Sequence, residues 1–194
     1  MADPNVIRDV GNTLLVLLRS GIGSGIERVV EPGDIHLSTP DDFQNYQDPS
    51  DPVITIFLYR ISINSQMRNS PRRMLPDGRT KRPLLPVDLY FMITPWAHDT
   101  SDEYRIVGRV LSTLYDNAEL GSTQLRGDSW EEGDSVQIIL ESLPLDDHYR
   151  IWDSSSLPYR LSLTYIVRVI GIEPSEISEI TPVLDAEFRG LRTE

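Results

Sequence analysis

Two segments dense in β-branched and aromatic residues, Val53 to Ile63 and Val87 to Pro95, enclose a stretch of the opposite character. From Arg60 to Arg82 the chain carries Arg60, Arg68, Arg72, Arg73, Arg79, Lys81 and Arg82 against Asp77 alone, broken by Pro71, Pro76, Asp77-Gly78 and Pro83. So many cations cannot be buried, and the prolines and the Asp-Gly pair favour turns. The flanking strands therefore belong to a sheet, and the segment between them is predicted to be a long connection or a projecting β-arm.

Charge sharpens this. The net charge of the chain is −12, but with 7 of its 18 basic residues and one of its 30 acidic residues, this stretch carries +6 and the remainder −18. A surface that acidic repels nucleic acid and anionic membrane as a whole. All cations but Lys81 are arginines, whose planar guanidinium suits multidentate contact with carboxylates and carbonyls. The pattern leans towards protein contact. A nucleic-acid-binding accessory protein using residues 60–82 is the alternative, weakened by the lack of aromatic residues in the stretch. A solvated loop is the ordinary explanation of the same residues.

Around this unit the remaining elements can be placed. Asp3-Pro4 reads as a helix start, Ile7, Val10, Leu14 and Leu17/Leu18 recur at helical spacing, and Gly21 to Gly25 stops the helix. Asp34 to Leu37 is a short strand, and Thr39 to Pro52 a polar loop. Thr100 with Glu103 predicts a capping box for a second helix, with Ile106/Val107, Val110/Leu111 and Leu114/Tyr115 on its buried face. A polar loop from Gly121 to Asp134 precedes a strand over Val136 to Glu141, and Leu145 to Trp152 is a short helix or turn. Tyr159 to Ile172 is predicted as the longest strand, with Tyr159 to Val169 alternating onto one face. The class is α/β: a small mixed or antiparallel sheet flanked by two main helices in one domain, 1–172, with an acidic tail, 173–194. Ile177, Ile180 and Phe188 are spaced along that tail, which either stays solvated or adds to another subunit as an extended strand.

Catalytic patterns are weak. His36, His98 and His148 are scattered beside no nucleophile motif, and Gly21 to Gly25 follows a helix where a dinucleotide loop would follow a strand. Asp128 to Ile139 fails as a calcium loop because Trp130 and Ile139 occupy ligand positions. Asp146 and Asp147, adjacent in sequence, diverge on a helix. The absence of cysteine excludes disulfides and thiolate sites. The expectation is no enzyme, no catalytic residue, no metal and no cofactor. No basic segment leading into an apolar one is found at the N-terminus, so no signal peptide is expected.

Three stretches together carry a resemblance: Arg82-Pro-Leu-Leu-Pro-Val-Asp-Leu-Tyr-Phe-Met-Ile-Thr-Pro-Trp96, Gly108 to Asn117, and Leu140-Glu-Ser-Leu-Pro-Leu-Asp-Asp through Ile151-Trp152 to Val169. Leu58-Tyr-Arg60 and Asn69-Ser-Pro71 upstream fit as well. In these the chain resembles the tail-terminator, or cap, family of extracellular contractile injection systems, phage-tail-like particles that drive an inner tube out of a contractile sheath. The resemblance implies a homohexameric ring on the last tube layer that halts tube polymerisation and ties tube to sheath. It implies an inner-tube protein and a sheath protein as partners, with no small-molecule substrate and no direct membrane insertion. Assembly in the cytoplasm, within a particle that is later released, is the expected location. The candidate interface residues are Arg60, Arg68, Arg72, Arg73, Arg79, Lys81 and Arg82 on the arm, and Ile177, Ile180 and Phe188 on the tail.

Overall fold

Residues 4–22, 29–67, 73–74, 80–172, 174 and 177–178 are described by the computed structural model. Helix α1, Val6–Ile22, buries Val6, Val10, Leu14, Leu18 and Ile22, a series spaced by four residues that forms one stripe. The predicted start at Asp3 lies outside the described residues. Strand β1, Ile35–Leu37, follows, and then a 3-10 helical segment over Pro40–Tyr46. Sequence reading had only a polar loop there, yet the segment buries Phe43, held by a capping box between Thr39 and Asp42.

The strand–arm–strand unit folds as expected. Strands β2, Val53–Ile63, and β5, Leu85–Trp96, pair antiparallel, and between them β3, Arg73–Met74, and β4, Thr80–Lys81, form a short antiparallel ladder. Helix α2, Thr100–Asp116, leads through β6, Glu119–Gly121, and β7, Ser135–Leu140, to α3, Leu145–Asp153, and then to β8, Leu163–Ile172, and β9, Ile177–Ser178. The main sheet has six strands in the order β1-β2-β5-β8-β7-β6, mixed because β1 runs parallel to β2 while every other pair is antiparallel. The mixed sheet with two long flanking helices matches the predicted class. Strand β6 lies partly inside the predicted polar loop; it is three residues long with only Leu120 buried, too short for a periodic signal.

Two local expectations are corrected. The cap of α2 is Asp99, whose carboxylate accepts from Ser101 N at 2.9 Å. Glu103, assigned to a box with Thr100, instead accepts from the Arg160 guanidinium at 2.6 Å. Tyr159 to Ser162 is not strand, and β5, at 12 residues, is longer than β8 at 10. Tertiary contacts hold that segment elsewhere. Tyr159 packs on Tyr149 at 4.8 Å between ring centres, and Arg160 also reaches the Gln47 carbonyl at 3.0 Å and lies over the Trp96 ring at 5.0 Å.

One sheet face is covered by α1 and α2, where Leu14, Leu18, Ile54, Ile56, Leu89, Phe91, Ile106, Val110 and Val167 form the main core. The other face is covered only towards one end, where Phe43, Val53, Met92, Trp96 and Trp152 form a second cluster under the 3-10 segment and α3. Among the described residues no helix covers the rest of that face. An irregularity in the β2–β5 register at Tyr59 decides what it displays. Leu58 pairs with Phe91 on the helix side, but past the extra residue Arg60 pairs with Tyr90 and Ser62 with Asp88 on the open side. A second irregularity, between Val87 and Leu89 on β5, pairs Val87 with Ile170 and Leu89 with Val167. It turns Ile170 into the core, which simple alternation from Tyr165 and Val167 does not. The side chain of Val169, expected on the core face, lies outside what is described.

Candidate assembly surface

The open half-face is lined by polar side chains drawn from three strands. Arg60, Ser62 and Asn64 from β2 and its continuation, Asp88 and Tyr90 from β5, and Arg168 from β8 surround a cavity of about 330 Å³. Asp88 is buried and is held by Asn64 Nδ2 at 3.2 Å to both carboxylate oxygens. Its Oδ2 lies 3.8 Å from an Arg168 terminal nitrogen, a loose ion pair. Arg168 Nε is buried without a hydrogen-bond partner among the described residues. Arg60 is exposed, and its guanidinium lies 4.5 Å from the centre of the Tyr90 ring. Strand β1 pairs with β2 only over Ile54–Ile56, so past this point the outer edge of β2 has no strand neighbour among the described residues.

The arm rises from this end of the sheet. Arg73 pairs with Lys81 and Met74 with Thr80, and β9 joins as a third strand, Thr80 to Ser178 and Lys81 to Ile177. The tail segment that sequence reading left between solvated and strand-forming is thus a strand at Ile177–Ser178, laid on the chain's own arm. Basic and acidic segments so far apart in sequence come together there. Of the predicted interface residues, Arg60 lines the cavity and Arg82 is exposed where the arm enters β5. Arg73, Lys81 and Ile177 are placed by their backbone in the second sheet. Arg68, Arg72, Arg79, Ile180 and Phe188 lie outside the described residues. Arg168, which lines the same cavity, is not among the predicted residues; in the sequence it is only a charge within an apolar strand, and nothing in its neighbourhood links it to Arg60.

The histidines occupy three unrelated settings. His36 stacks on Tyr46 at 5.8 Å, and His98 is exposed beside Asp48 at 3.1 Å. His148 is buried against Tyr159, and that burial holds its imidazole below the ordinary histidine value, which favours the neutral form. Tyr59 donates to Glu141, and burial together with that carboxylate pushes the phenol far up. Tyr165 is raised to about 12 by burial alone. Among the described residues no three His, Asp or Glu side chains are grouped to hold a metal ion, and no helix is long and apolar enough to cross a membrane. The nucleic-acid alternative finds no support in the cavity, whose one aromatic lining residue, Tyr90, already lies under the Arg60 guanidinium.

The fold is shared with solved tube-terminating proteins. Over 97% of this chain and 64% of the other, it is similar to the sheath/tube terminator, in its extended state, of an extracellular contractile injection system termed PVC, with a TM-score of 0.63 and 22% identity. A second solved structure, the tube-terminating cap of the anti-feeding prophage, AFP, matches 94% of the chain with a TM-score of 0.63 and 23% identity. The chain spans about three-fifths of the length of both, 64% and 60%. Residues 9–185 match the Pvc16 N-terminal domain, and the chain belongs to that family. No curated protein matches it in sequence.

Proposed function

We propose that this chain is a structural cap: a hexameric ring that ends the inner tube of a contractile injection particle and links it to the last sheath layer, without catalysis. The observation that carries the reading is the match of nearly the whole chain to two terminators of such particles, joined to its membership of the Pvc16 N-terminal family. A terminator must bind one layer and offer no equivalent surface to the next. A basic arm at one end of an acidic body supplies that polarity. In this reading residues 1–172 form the cap domain, and residues 173–194 a tail whose Ile177, Ile180 and Phe188 meet sheath. Assembly takes place in the cytoplasm, and the particle is released afterwards.

The arm is tested by reversing Arg72 and Arg73 to Glu. The expected result is a folded monomer that no longer forms rings or docks on tube, so that particles run to irregular length. Normal length and normal cap occupancy would refute the arm's role. The tail is tested by deleting residues 174–194, which is expected to leave the cap on the tube but detach the last sheath layer. The deletion also removes β9 from the arm, so the arm's tube binding in that variant serves as the control. Sheath attached as before would remove the tail from the proposal.

A further inference from the structure

The end of the sheet that carries the cavity also carries its electrostatic opposite, on the far edge. The loop between β6 and β7 holds Asp128, Glu131, Glu132 and Asp134, and Asp116 and Glu119 precede it. It is not a floppy connection. Ser129 is buried and its hydroxyl donates to the buried Asp9 carboxylate of α1 at 2.6 Å. Arg126 N donates to Thr13 Oγ1 at 2.9 Å, and Trp130 Nε1 donates to the Arg126 carbonyl at 2.8 Å. Asp128, Glu131 and Glu132 are exposed, and Asp128 and Glu132 meet no cation among the described residues.

On the other side of the sheet, Arg60 meets the Tyr90 ring and no acid among the described residues, and Arg168, loosely paired with Asp88 at 3.8 Å, keeps a buried Nε without an acceptor. These two sets cannot neutralise one another within one molecule. The loop packs against α1 on the helix-covered face, while the cavity opens on the opposite face. From β2, which carries Arg60, to β6 there are also four strand steps, about 19 Å at the usual strand spacing, whereas Arg168, on β8 beside β7, is kept from the loop by the sheet between the two faces. A surface whose complement lies on the opposite edge of the same molecule is satisfied by a second copy placed head to tail, and repeated contacts of that kind close into a ring. The rigid loop loses little entropy on docking, and the cavity's arginines lose little on receiving a carboxylate.

We propose that the acidic loop of one copy, through Asp128 and Glu132, docks into the Arg60–Arg168 cavity of the next, and that this is the contact that builds the ring. The inference rests on the ring reading above. Because the chain has no cysteine, it can be tested by engineered thiols without background. Ser62→Cys places a thiol in the cavity and Glu132→Cys one on the loop. Within one molecule their separation exceeds the roughly 7 Å Cα spacing a disulfide tolerates. Rings, or particles assembled with tube and sheath proteins, are oxidised mildly and run on a denaturing gel.

The double variant is expected to give a ladder of covalent oligomers. An equal mixture of the two single variants should give only dimers, and each single variant alone none. Rings or capped particles that form normally and give no crosslink would overturn this contact and leave the cap reading intact. A chain that forms no ring and enters no particle would overturn both. As a second measurement, D128R/E132R, which alters exposed side chains without partners among the described residues, is expected to weaken ring formation at least tenfold. Combining it in one chain with R60E, at the exposed arginine of the cavity, should restore rings. Undiminished ring formation by D128R/E132R would also refute the contact.

Discussion

Gly127→Ala is expected to lower the stability of the fold by about 2–5 kcal/mol, a large share of what holds a domain together. Gly127 sits at φ +97°, where a Cβ is strained, and an ideal Cβ there would lie 2.1 Å from Asp9 Cγ. The strain costs about 1–3 kcal/mol, and displacing Asp9 leaves Ser129 without its acceptor, which costs about as much again. For a chain of this length each kcal/mol lowers Tm by roughly 2–4 °C, so thermal denaturation followed by circular dichroism reads the effect directly. Asp9→Ala alone is expected to cost about 2–3 kcal/mol. The double variant should cost clearly less than the sum, because removing the Asp9 carboxylate removes the atoms the new Cβ strikes. Strict additivity would show that the two residues do not act through one contact.

The same latch gives a pH dependence. Burial pushes the Asp9 carboxyl up, but the hydrogen bonds from Ser129 and Arg8 outweigh it and hold the group below its ordinary value of 3.8. With its value depressed in the folded state, Asp9 contributes stability that is complete above the unfolded value and is lost as pH falls through the folded one. The stability gap between wild type and Asp9→Ala should therefore shrink as the solution is acidified below pH 3.8. A gap that widened there would contradict the assignment.

Trp96→Ala is expected to cost about 3–5 kcal/mol, the range for emptying a core site of this size. Trp96 is fully buried, its Nε1 donates to Thr55 Oγ1 at 2.9 Å, and its ring meets Phe43 at 5.5 Å, Tyr46 at 6.1 Å and Trp152 at 5.9 Å. It is the shared neighbour of the elements that cover one end of the second sheet face. The loss should therefore be uneven. Hydrogen exchange is expected to speed up most in Pro40–Tyr46 and Leu145–Asp153, while α1 and α2, packed on the other face, keep their protection up to the lowered global limit. Uniform loss across both faces would mean that the two clusters unfold as one unit.

Much of this architecture could be read from the chain alone, because the signals were local. Val53–Ile63 has the same bounds as predicted, and the apolar spacing of α1 and the stop at its glycines needed no tertiary information. The segment from Arg60 to Arg82 could not be core, so an exposed connection or β-arm followed from solvation alone. The errors fell where contacts distant in sequence outweigh local preference. Glu103 satisfies the box pattern but spends its carboxylate on Arg160, 57 residues away. Tyr159 to Ser162 alternates like a strand but is held by α3, Gln47 and Trp96.

By itself the sequence determined the fold class, the exposure of the basic segment and the segregation of charge into a basic stretch and an acidic remainder. These follow from hydrophobic periodicity and from the cost of burying cations, both properties of neighbouring residues. Only the tertiary structure decided which charges share a surface. A single extra residue at Tyr59 flips the pleat, so that Arg60 leaves the helix side of β2 and joins Asp88 and Arg168 on the open face. Since side chains alternate at a period of two, one bulge redirects everything beyond it, and no count of charges along the chain records where it falls.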